Sequence, residues 1–169
     1  MAAITIHQPW ATLIAVERKT YETRSWSTNH RGLIAIHAGK NGEELADIQE
    51  DIEDVVSWDK ARLARWYRDT GRGRYMLHLR QVFAGSRYDK MSAFPLGAVV
   101  CIARLVNCHR VEALKNLSAQ ELAFGNFSPG RFAWEMEVVR YFADPIPAQG
   151  AQGVWRWTLP PALAEELAR

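Results

Sequence analysis

LGAVVCIARLV, Leu96 to Val106, decides the fold class. The run is apolar and rich in β-branched residues, and apart from Arg104 it has no polar interruption. That pattern describes a strand covered on both faces rather than one with a wet side. Downstream, Phe132 to Phe142 and Gly153 to Leu159 read as two more strands, joined by the proline- and glycine-bearing PIPAQGAQG. Upstream, Ala3 to Ile6, Thr20 to Trp26 and LIAIHA (Leu33 to Ala38) are strand-like, the last broken by Gly39 to Gly42.

Helices are fewer. Pro9 suits a first helical turn, and Trp10, Leu13 and Ile14 then share a face as far as Val16. Leu45, Ile48, Ile52, Val55 and Val56 repeat at helical spacing. A further helix is expected from Trp58-Asp59, with Leu63, Trp66 and Tyr67 as its stripe and Gly71 as its end. Ser118-x-x-Glu121 has the form of a capping box for a short turn over Ala119 to Ala123, and Ala162 to Leu167 forms a last amphipathic turn. Between Arg72 and Pro95 the pattern is irregular, with RYMLHLRQVF (Arg74 to Phe83) expected as a strand. Strands outnumber helices and do not alternate with them, which argues against a doubly wound sheet. The expectation is an α+β domain: a small curved sheet or partly closed barrel with helices at its edges.

The 169 residues suit one domain, 1–169, with a helical and basic insertion at about 43–94. A formal charge of +2 permits nucleic-acid binding without arguing for it. Within the insertion, Glu43 to Asp59 carries acids and no Lys or Arg. Arg62, Arg65, Arg68, Arg72, Arg74, Arg80, Arg87 and Lys90 then dominate. Such a run either tracks a phosphate backbone, pairs with the acidic helix, or forms a protein contact surface. No apolar stretch is long enough for a membrane span, and Met1 to Ile6 lacks the form of a signal peptide. Cys101 and Cys108 have no histidine cluster beside them, so neither a metal nor a disulfide framework is expected. The expected setting is the cytoplasm, with reduced thiols and no cofactor. P-loop, GxGxxG, GxSxG and HExxH patterns are missing, which argues against the enzyme classes built on them.

The residues worth chemistry lie near the start. In an extended Thr20 to Trp26, Thr20, Glu22, Arg24 and Trp26 share one face, while Tyr21, Thr23 and Ser25 take the other. With Lys19 in the turn before them, they make a polar pocket: a carboxylate oriented by a guanidinium, an amine, and an indole for stacking. The competing account is a Glu22–Arg24 ion pair on a solvent face with Trp26 covering the core. Arg31-Gly32 either offers a guanidinium and amides to phosphate or is a plain turn. His37 ends an apolar strand, as a core-edge histidine or a base. Ser128 and Arg131, in SPGR, belong to a ligand-clamping loop or to a strand entry.

ITIHQPWATLI, RKTYETRSW and HRGLIAIHA, followed in order by PLGAVVCIARLVNC, FSPGRFAWEM and PIPAQGAQGVWRW, resemble the ASCH domain family, the activating-signal-cointegrator homology domains. The resemblance implies a PUA-like β-barrel whose cleft takes RNA or other single-stranded nucleic acid, a nucleotide, or a modified nucleoside. By matching position it lines that cleft with Lys19, Glu22, Arg24, Ser25 and Trp26, with Arg31 and His37 nearby. Two departures stand out. Glu17 occupies a turn position where the family commonly has Gly. One branch consists of amidohydrolases acting on acetylated cytidine, with a Lys and, three residues later, a Thr nucleophile. Here Lys19 matches the Lys, but Glu22 stands at the Thr position, and a carboxylate cannot replace the alcohol in that acyl transfer. If the chain is an enzyme, Lys19 and Glu22 are its expected catalytic pair, Glu22 as proton acceptor and Lys19 stabilising an oxyanion.

Overall fold

The computed structural model describes residues 1–56, 62, 65, 73–87 and 93–167, with the backbone alone for 51–56, 73, 74, 77 and 80. Of the helix expected from Trp58 only Arg62 and Arg65 are described, both helical, and the rest lies outside the described residues, as do Arg68, Arg72 and Lys90 of the basic run.

Among the described residues six strands form one mixed sheet: β1 (Ala2–Ile6), β2 (Tyr21–Arg24), β3 (Gly32–Ala38), β4 (Ala98–Arg110), β5 (Phe132–Pro147) and β6 (Val154–Arg156). Their order is β2-β5-β4-β3-β1-β6. β1 runs parallel to β3, with Ala2 opposite Ile34 and Ile6 opposite Ala38, and every other pairing is antiparallel. Three register shifts interrupt the long β4–β5 ladder, and one between Ile36 and His37 interrupts β3–β4. An extra residue on one strand bends it and raises its twist, so these bulges curl the sheet. The result is a half-barrel of the PUA-like kind, with β2 and β6 as its two edges.

Ile4, Ile6, Ile34, Ile36, Leu105 and Trp134 form one core cluster of the sheet, packed with α1 (Trp10–Ala15) through Ala11, Ile14 and Ala15. Pro9 stands one residue before that helix, at its cap position, after a cis Gln8–Pro9 bond. On the outer face of α1, Leu13 packs with Leu45 and Ile48 of α2 (Glu43–Val56) and with Met76, Leu79 and Phe83 of α3 (Gly73–Phe83). Residues 11 to 15 are therefore all buried, because the helix is covered on two sides. A second cluster holds Ala35, Val99, Ile102, Phe142 and Trp157 against Leu163 of α5 (Pro161–Leu167).

The segment expected as a strand over 74–83 is helical. Its Leu77-His78-Leu79-Arg80 alternation mimics a strand. The buried set Met76, Leu79 and Phe83 instead has helical spacing, and the apolar surface of α1 and α2 rewards that period. Ser118 does cap α4 (Ala119–Ala123), accepting from the Glu121 amide at 3.0 Å. The reciprocal half of a capping box is replaced. Glu121 turns its buried carboxylate to the Thr20 and Tyr21 amides, at 3.0 Å each.

Candidate functional site

The edge strand β2 starts from a turn in which Glu17 has φ 57°, the left-handed conformation usually left to glycine. After it, the chain buries Lys19 to 3% exposure and Glu22 to 8%. Lys19 Nζ donates to the Tyr21 carbonyl and lies 3.8 Å from Glu22 Oε2. Burial lowers the Lys19 pKa below its usual value, against the opposing pull of the Glu22 and Glu121 carboxylates. Glu22 Oε1 meets Arg24 Nε at 3.0 Å, and Arg24 Nη2 donates to the Thr5 carbonyl at 2.9 Å. The alternation expected for this strand does place Glu22 beside Arg24. Their pair is largely enclosed, with the Glu22 side chain 11% exposed, so the solvent-face account fails. Trp26, 36% exposed, stands edge-on to Trp134, with ring centroids 4.6 Å apart.

Two clefts open from this strand. The larger, about 660 Å³, is lined by Arg24 and Trp26, by Thr5 of β1 and His7 just after it, by His37, Gly39 and Lys40 at the end of β3, and by the 149–153 loop. Arg24, Lys40 and two histidines face it, and none of its lining residues is a carboxylate. The smaller, about 350 Å³, is lined by Lys19, Glu22 and Thr23, with Trp10, Tyr75 and Phe124 as aromatic walls and Asn126 at its rim. The expected single pocket is thus divided, Lys19 and Glu22 on one side and Arg24 and Trp26 on the other.

His37 forms the floor of the larger cleft, 1% exposed. The bulge between Ile36 and His37 resets the direction of this side chain. Opposite the Ala148 carbonyl at 3.0 Å, His37 Nε2 must be the protonated nitrogen, which leaves Nδ1 as a bare acceptor without a partner among the described residues. Burial lowers its pKa, and the nearby Lys40 charge adds to this, so the ring is held neutral. Gly150 closes over it: a β-carbon there would lie 2.6 Å from Nδ1 and 2.7 Å from Thr5 Oγ1, so no side chain fits.

The other expected residues lie elsewhere. Arg31 precedes β3, six residues from His37, about 20 Å along an extended strand. Its guanidinium is taken up by the carbonyls of Thr28 and His30 and by Asn107 Oδ1. Ser25 and Ser128 are exposed. Arg131 clasps the 124–131 loop to β2 through the carbonyls of Asn126, at 3.1 Å, and Thr23, at 3.2 Å. His7, Lys40 and the 149–153 loop were not singled out in the sequence, and neither were Trp10, Tyr75 and Phe124 as walls. Thr23, expected on the opposite face from Glu22, also lines the smaller cleft, which wraps around the strand edge. Among the described residues no cluster of metal-ligating side chains occurs, both cysteines are free, and no helix is long and apolar enough to cross a membrane.

A mixed six-stranded sheet curled into a half-barrel with flanking helices fits the α+β, PUA-like class. The chain belongs to the ASCH domain family, whose pattern it matches over residues 4–146. No curated protein matches it.

Proposed function

We propose that the chain is a nucleic-acid-binding module whose larger cleft takes a nucleotide unit of single-stranded RNA. The observation that carries this reading is the cleft's composition. It has an accessible indole at Trp26, cations at Arg24 and Lys40, and no carboxylate in its wall. A phosphate-bearing planar ligand needs that combination, an aromatic face for the base and fixed positive charge for the backbone. Membership of the ASCH family supports the same class of partner.

The test is titration of fluorescent single-stranded oligoribonucleotides at several salt concentrations. Trp26→Ala is expected to weaken binding by roughly tenfold, the loss of one stacked base. Lys40→Ala is expected to lower the slope of log affinity against log salt by about one. Unchanged affinity in both variants removes the cleft from the account.

Hydrolysis of a modified nucleoside is a second reading, favoured by one observation: a buried amine and a carboxylate, Lys19 and Glu22, share a cleft with Thr23. It predicts turnover of acetylated cytidine that vanishes in Glu22→Gln.

A further inference from the structure

The two clefts lie between the same two segments. The β1–α1 turn supplies His7 to the larger and Trp10 to the smaller, and β2 supplies Arg24 to the larger and Glu22 to the smaller. The Glu22–Arg24 ion pair, 3.0 Å apart, joins their walls: Arg24 lines the larger cleft and Glu22 the smaller. The two clefts differ in chemistry. The larger is basic, with Trp26 as its aromatic. The smaller has Trp10, Tyr75 and Phe124 around it, with the Trp10 ring 5.8 Å from Tyr75 and 6.0 Å from Phe124. Its wall carries the Glu22 carboxylate, an acceptor suited to the N–H groups of a base, beside the Lys19 amine.

Resting on the reading of the larger cleft given above, we propose that the smaller cleft is a second base subsite, so that the ligand is an oligonucleotide of at least two residues. One base stacks in the larger cleft and the next enters the aromatic one. The phosphodiester between them crosses the divide at Arg24. One of that guanidinium's three nitrogens, Nη2, donates to the Thr5 carbonyl, and Nε lies 3.0 Å from Glu22 Oε1 as an ion pair without a hydrogen bond. Nη1 has no partner among the described residues and is the donor left for the phosphate. Splaying two neighbouring bases to either side of one phosphate is a habit of single-strand recognition, because only unstacked bases expose both faces and edges.

The experiment compares adenosine 3′,5′-bisphosphate with the dinucleotide pApA by calorimetry, and repeats the comparison with the cytosine and uracil pairs. Within each pair the phosphates are equal in number and the bisphosphate, with two monoesters, carries the larger charge, so a tighter-binding dinucleotide owes its gain to the second nucleoside. The expected result is a dinucleotide binding roughly tenfold or more tightly than its bisphosphate in at least one pair. That gain should disappear in Tyr75→Ala, which removes a wall, and in Ala123→Trp, which fills the cleft, while bisphosphate affinity is kept in both. Equal affinities within all three pairs overturn the second subsite and leave the larger cleft's reading intact, as does a gain that survives in both variants. If no bisphosphate or dinucleotide binds, the reading of the larger cleft fails and this inference fails with it.

Discussion

Glu17 adopts φ 57° to turn the chain from α1 towards Lys19. A side chain in that region costs about 1–2 kcal/mol, because its β-carbon crowds the following carbonyl. Glycine would remove that cost but add unfolded-state entropy of about 0.4–1 kcal/mol. Glu17→Gly is therefore expected to stabilise by about 0.5–1 kcal/mol and raise Tm by about 1–4 °C in a thermal melt. His37 sets a pH dependence of the opposite kind. Its folded-state pKa lies below the unfolded value near 6.5, so the unfolded chain binds the extra proton as pH falls through that range. The groups facing the ring's cleft are Lys40, Arg24 and His7, and no lining carboxylate offsets them. Stability linked to His37 is thus full above about pH 6.5 and lost below it. Urea midpoints should fall on acidification, and less steeply in His37→Gln, whose amide still donates to Ala148 but does not titrate. Equal slopes in the two proteins would acquit this histidine. At this scale the sequence was readable only where local period governs. Glu22 and Arg24 meet because residues two apart in a strand share a face. The neutral state of His37 depends on Ala148, more than a hundred residues away.

At the scale of elements, the site hangs on a short edge strand with few bonds of its own. β2 has four residues, paired only to β5, with Glu22 opposite Trp134. Its entry is fixed by Glu121 from the five-residue helix α4, whose carboxylate accepts the Thr20 and Tyr21 amides. Glu121→Ala would leave both of those backbone donors unsatisfied in a part-buried place. Hydrogen bonds to a charged group contribute about 1.5–3 kcal/mol each, so a loss of about 3 kcal/mol is expected in urea unfolding. Ligand affinity should fall in parallel, because Lys19 and Glu22 follow immediately in the chain. Affinity that persists despite such a loss would show that β2 is held without this clasp. The strands themselves were largely legible, since buried β-branched runs such as residues 98–103 have no other comfortable home. α3 was not. Its local alternation pointed to a strand, and only the apolar surfaces of α1 and α2 choose the helical period over it.

Across the whole molecule, the larger cleft exists because the barrel does not close. β2 and β6 are the ends of the sheet order, and the larger cleft is built from what borders the gap: the β2 edge, the ends of parallel β1 and β3, and the loop between β5 and β6. Three separate loops converge there only through the β1–β3 register and the bulged β4–β5 ladder. This explains why Lys40, His7 and the 149–153 loop gave no signal of their own, and why Arg31, near in motif order, ends up at the far end of β3. Arg24 braces the edge strand to β1 through the Thr5 carbonyl at this gap, and on the proposed reading it has a second task, offering its remaining nitrogen to the ligand. Arg24→Lys separates them. An ammonium keeps the charge but cannot hold Glu22, Thr5 and a phosphate in one plane, since it lacks the rigid fork. The slope of log affinity against log salt should therefore stay at the wild-type value while affinity drops roughly tenfold, the scale of one charge-assisted hydrogen bond. Arg24→Ala should lose both. A lysine variant that binds as tightly as wild type would mean that charge alone acts at the divide, and that the fork's orientation across the open edge contributes nothing to recognition.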